Sequence, residues 1–140
     1  MPQKAEFQRM AQDKLAGAEC LYNEKFYNDA YYLAGYAAEF AFKAAICSRL
    51  DIEMFDESQV NKRISEPLKI HSLETLLIYS GLSRRLQTDK AVNIGLDQAW
   101  SIVSGWKEDR RYEAGPYRPQ TVRRFLDATK IFLQWIQSHW

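Results

Sequence analysis

The chain is poor in the residues that build most specialised sites, with 2 cysteines, 2 histidines, 4 prolines and 6 glycines among 140 residues. Two cysteines without a Cys-x-x-Cys spacing exclude a disulfide framework. Cys20 and Cys47 each sit inside an apolar helical pattern and read as buried free thiols of a reducing compartment. His71 and His139 lie far apart, with no acidic pair at ligand spacing, so neither a metal centre nor a cofactor is expected. A Gly-rich phosphate loop, a Gly-x-Ser-x-Gly elbow and a Cys/His nucleophile pattern are all missing. No apolar run reaches the roughly 20 residues of a membrane span. Glu39 and Lys43 interrupt the longest one. The first residues, Met-Pro-Gln-Lys-Ala-Glu, lead into no apolar segment, which speaks against a signal peptide and for a cytoplasmic protein. Sustained period-two alternation is absent too, which argues against a sheet protein.

What is present is helical periodicity. Phe7, Met10, Ala11, Leu15, Ala18, Leu21 and Tyr22 form a stripe over residues 4–22. After a break at 23–27, Asn28 or Asp29 can cap a second helix running to about Arg49. Residues 51–70 read as a loop with a short helical piece near Glu57–Arg63. Ser72 caps a third helix that Gly81 stops. Ser83 can cap a fourth segment to about Trp106, which Asn93 and Gly95 can dent or split. Glu108–Arg118 is a polar loop, and Pro119 opens a last helix whose apolar face is Val122, Phe125, Leu126, Thr129, Phe132, Leu133 and Ile136. The expectation is a single all-α domain over residues 1–140. It is an antiparallel up-and-down bundle of four main helices plus a short additional one.

The second helix carries the most information. Ala30, Ala34, Ala37, Ala38, Ala41, Ala44 and Ala45 recur along it, small enough to let neighbours approach on several sides. Into this apolar surface are set Glu39 and Lys43, four residues apart. They can pair within the helix, or Glu39 can be held by a partner from elsewhere, since a buried unpaired carboxylate is costly. Arg111 is the alternative partner.

Charge is uneven although it sums to +1. Residues 1–60 carry six basic and ten acidic side chains, and residues 61–140 thirteen and eight. The basic half suits an anionic ligand or an ordinary solvated surface equally well. Within it, Arg110 and Arg111 lie between Trp106 and Tyr112, a pattern able to clasp phosphate and stack on a base. Arg111 can equally turn inward to Glu39. His71 precedes a helix cap and reads as structural, while His139 reads as frayed. Tyr22, Tyr27, Tyr31, Tyr32 and Tyr36 cluster in a manner suited to a core or an oligomer interface.

Three elements together resemble the HEPN family of small helical domains. They are Ala30-Tyr31-Tyr32-Leu33-Ala34-Gly35-Tyr36-Ala37-x-Glu39-x-x-x-Lys43-Ala44, His71-Ser72-Leu73-x-x-Leu76, and Trp106-x-x-x-x-Arg111-Tyr112. The likeness covers roughly residues 5–137. It implies a homodimeric bundle, often the partner of a minimal nucleotidyltransferase in toxin–antitoxin or defence modules. Many HEPN proteins are metal-independent ribonucleases carrying Arg, four to six residues, then His. Here Arg63 precedes His71 by eight residues and Arg124 precedes His139 by fifteen, while Arg111 is separated by five intervening residues from Tyr117, a poor general base. No catalytic residue is therefore assigned. The resemblance implies a binding module for nucleotide or RNA, or a partner subunit, with no membrane association. Arg110, Arg111 and Arg118 would meet phosphates, with Trp106 or Tyr112 stacking. Glu39, Lys43, Tyr36 and His71 would support them. A ribonuclease with a degenerate site and a purely structural interaction protein are the rivals.

Overall fold

A computed structural model describes residues 3–51, 53, 61–109 and 115–140. The described residues are all-helical. The helices are α1 (Lys4–Asn23), α2 (Tyr27–Leu50), α3 (Lys62–Ser65, continued by a 3-10 turn Glu66–Leu68), α4 (Leu73–Tyr79), α5 (Ser83–Val92), α6 (Ile94–Val103) and α7 (Pro119–Ile136). Among these residues no helix is long and apolar enough to cross a membrane.

Helix α2 is the hub, packing against α1, α7 and α4, while α6 packs on α7 and α5. Its alanines explain why. Ala30, Ala34, Ala37, Ala38, Ala41, Ala44 and Ala45 are all buried, so α2 has no wet stripe along its centre. Asp51 in the left-handed conformation (φ 54°) ends it, returning its N–H to Cys47 and Ser48 carbonyls. Helix α7 is the opposite kind, amphipathic, with every residue of the expected apolar face buried. Buried Thr129 satisfies its hydroxyl on the Phe125 carbonyl at 2.8 Å.

Several local expectations change in the structure. Helix α2 begins at Tyr27, and Asn28 does not cap it. Its side chain donates to the Gly115 carbonyl and accepts from the Tyr117 N–H, both at 2.8 Å, tying the approach to α7 onto the start of α2. The fourth segment splits at Asn93, whose Oδ1 accepts from the Leu96 N–H (3.1 Å) and starts α6 anew. Ser72 caps α4 as expected, and Gly81 (φ 73°) follows it. Ser83 is the first residue of α5 and makes no capping bond; Ser80 Oγ holds the preceding turn by accepting from the Leu82 N–H. Cys47 is buried but Cys20 is exposed, because it falls outside the buried stripe of α1. The C-terminal turn is docked rather than frayed. His139 packs on Trp135 (4.9 Å between rings), and the Trp140 carbonyl accepts from Gln8 Nε2 (3.1 Å). Of the expected helical piece near 57–63, residues 57–60 lie outside the described residues, and α3 starts at Lys62.

Candidate functional site

Helical spacing sets Tyr32, Tyr36, Glu39 and Lys43 along one face of α2, because positions four, seven and eleven apart come round to the same side. Two other segments meet that face. One is the turn before α4, bringing His71; the other is the stretch after α6, bringing Trp106 and Glu108.

Glu39 is 1% exposed and Lys43 7% exposed, so this is charge taken out of water. Glu39 uses both oxygens. Oε2 accepts from Lys43 Nζ at 3.3 Å, and Oε1 meets His71 Nδ1 at 2.7 Å. A carboxylate only accepts, so the His71 proton sits on Nδ1 and Nε2 faces outward. The within-helix pair is thus present, and so is a partner from elsewhere, but that partner is His71. Arg110, Arg111 and Tyr112 lie outside the described residues.

A second chain of hydrogen bonds runs alongside. Tyr36 donates its hydroxyl to Glu108 Oε1 (3.3 Å), and the Tyr32 hydroxyl then donates to the Tyr36 oxygen (2.8 Å). Burial pushes the Tyr36 hydroxyl far above the ordinary tyrosine range; the Tyr32 bond and the carboxylates of Glu108 and Glu39 push it further. It remains a proton donor at any physiological pH. Glu108 Oε1 also stands 4.0 Å from His71 Nε2, so His71 faces a carboxylate on each side.

Trp106 does not offer a free face for stacking. It is 2% exposed and lies on Gly35, where a Cβ would come within 1.9–2.2 Å of three indole atoms. Glycine at 35 is the opening that lets the indole onto α2. Tyr36 and Tyr32 enclose it further, with ring centroids at 5.4 and 6.1 Å. Trp106 therefore anchors the segment that carries Glu108.

Between the residue 71–74 turn and this segment opens a groove of 590 Å³, lined among others by His71, Leu73, Trp106, Lys107, Glu108 and Asp109. His71 is the member best placed to act on a ligand there. Its side chain is 46% exposed, and a buried carboxylate fixes its ring. Arg118 is exposed at the start of α7 and does not line this groove. The described residues contain no cluster of three or more His, Cys, Asp or Glu able to hold a metal.

Tyr36, Glu39, Lys43 and His71, expected from the sequence as supporting residues, come together. The roles of Glu108 and Tyr32 were missed. Tyr32 was legible from its spacing to Tyr36. Glu108 was not, since only the seating of Trp106 on Gly35 aims it at α2. No protein-family model, curated protein or solved structure matches this chain.

Proposed function

We propose that this chain is a HEPN-like helical binding module of the non-catalytic kind, a cytoplasmic homodimer with an antiparallel up-and-down arrangement of its four main helices. It binds nucleotide or RNA, or serves as partner subunit to a minimal nucleotidyltransferase. One observation carries the reading. The described parts of the three elements of the resemblance, far apart in sequence, meet at one groove through the Glu39–His71 bond (2.7 Å), the Tyr36–Glu108 bond (3.3 Å) and the seat of Trp106 on Gly35. A fold that only had to be stable would have little use for a buried carboxylate there, because ion pairs withdrawn from water contribute little net stability. Lys107 borders the groove, and Arg110 and Arg111 follow it in the chain, supplying the cations a phosphate needs.

Titration with ATP, GTP and a short single-stranded RNA at low and moderate salt tests this. Salt-sensitive binding is expected. It should vanish when Lys107→Ala is combined with Arg110→Ala, while the thermal midpoint stays nearly unchanged. No affinity for any of the three would remove the ligand reading and leave the nucleotidyltransferase partner, to be tested by co-purification.

The same geometry favours a second reading as a metal-independent ribonuclease. An imidazole oriented by a buried carboxylate, with Nε2 on a groove, is what a general base requires. Tyr117 is poorly suited to share the work. Its ring packs on Tyr31 (4.6 Å between centroids), and its N–H is committed to Asn28. This reading expects RNA cleavage in chelator, lost in His71→Gln and retained in Tyr117→Phe. Intact RNA after long incubation ends it.

A further inference from the structure

His71 stands between carboxylates carried by two different segments. Its Nδ1 is 2.7 Å from Glu39 Oε1 on α2, and its Nε2 is 4.0 Å from Glu108 Oε1 beyond the end of α6. We propose that His71 is a proton-operated latch tying the 104–109 segment to α2. With both ring nitrogens protonated, the imidazolium directs one N–H at each carboxylate and places its charge between them. When one proton leaves, the remaining N–H stays with Glu39, the nearer acceptor and the more deeply buried. Nε2 then turns a lone pair toward Glu108. Two acceptors now face each other across 4.0 Å, and the tie weakens.

The surrounding charges set the size of the effect. From α2, Lys43 neutralises Glu39 through its other oxygen in both states, so the change falls on Glu108. Tyr36, also on α2, keeps donating to Glu108 at 3.3 Å and makes the release partial. Glu74 at the start of α4 lines the groove, as do Lys107 and Asp109 beside Glu108. The His71 side chain is 46% exposed, so water reaches its ring. What opens is the wall of the groove, the stretch from Gly105 to Glu108. The latch is a property of the chain alone and stands independently of the ligand reading above.

The test uses the full chain without ligand. The His71 ring is followed by NMR across the range in which imidazoles titrate, about pH 5 to 8. In parallel, hydrogen exchange is read at the Gly105 and Trp106 amides, which bond to the Ile102 and Val103 carbonyls, with intrinsic rates divided out. Opening should become about threefold more frequent as the ring loses its proton, the scale of one half-exposed ion pair, with the same midpoint as the ring. His71→Gln should abolish the step. Glu108→Gln should also remove it, because a neutral amide can donate to the ring as well as accept from it. Flat exchange through the ring titration in the parent protein would overturn the latch, as would an unchanged step in Glu108→Gln.

Discussion

Two charged clusters border grooves of nearly equal volume, 590 Å³ beside His71 and 600 Å³ between α6 and α7, and they differ in what water does to them. In the second cluster Arg123 forks onto both oxygens of Glu19, reaches Asp127 at 2.8 Å, and lies over the Tyr22 ring at 4.8 Å. The Glu19 bonds hold the Arg123 guanidinium protonated even more firmly than usual. Its geometry is far better than the single 3.3 Å contact between Lys43 and Glu39. Yet Arg123, Glu19 and Asp127 keep a third or more of their side-chain surface in water, where a well-formed bridge contributes at most about 1 kcal/mol. Glu39 and Lys43 are desolvated. Their pairing offsets a penalty, and losing either member exposes it. Good geometry in water is a stitch; a pair out of water is weak evidence for stability, because its attraction is set against the cost of desolvation.

The sharpest way to break this comparison is Lys43→Met, which leaves Glu39 buried with the His71 bond but without its cation, and should cost about 3 kcal/mol by urea unfolding. Combining it with Glu39→Leu should return stability to within about 1 kcal/mol of the parent, because no charge is then stranded. If the double variant is as unstable as the single one, the cluster is a stability element after all. Next in size is Gly35→Ala, which forces the Trp106 indole off α2 and should cost about 2–3 kcal/mol. Adding Trp106→Leu should recover part of that loss, and a thermal midpoint unmoved by Gly35→Ala would contradict the seating. Arg123→Ala comes third, at about 1 kcal/mol or less and shrinking with added salt. An effect as large as that of Lys43→Met would erase the distinction between the clusters.

The smallest effect is in pH dependence. Asp89 is held below the usual carboxylate range, first by the Trp135 N–H (2.8 Å) and then by Arg85. Its contribution is present above the unfolded carboxylate value and disappears as pH falls through the lower folded one. His139 is also depressed, by burial and then by Arg85, so its protonation favours the unfolded chain and stability falls as pH drops through the ordinary imidazole value toward the lower folded one. Thermal midpoints against pH should therefore show two declining limbs. Asp89→Asn flattens the more acidic one and His139→Gln the milder one, and a single limb insensitive to both would refute the assignment.

Read together, these sites show how far residue patterns reach. Helix α7 was fully legible, because an amphipathic period of 3.6 states both that a helix forms and which face is buried. So was the core role of α2, from its alanines. The split at Asn93 was half legible, since a capping residue can be recognised without revealing whether the chain uses it. Asn28 was misread for the same reason: its amide found partners at Gly115 and Tyr117, some ninety residues away, which local spacing does not record.

A helical chain, an α2 packed on several sides and a charge pair set in its apolar surface could all be read from the residues in order. These follow from periodicity and side-chain size, which act over one or two turns. Which partner Glu39 takes from outside its helix, and that Trp106 is an anchor rather than a stacking platform, came from the packing of distant segments. That packing alone showed that Glu108 joins Tyr36 and His71 at one groove. A buried carboxylate must find donors among whatever segments folding brings within 3 Å or so, and that choice is made by packing, not by spacing along the chain.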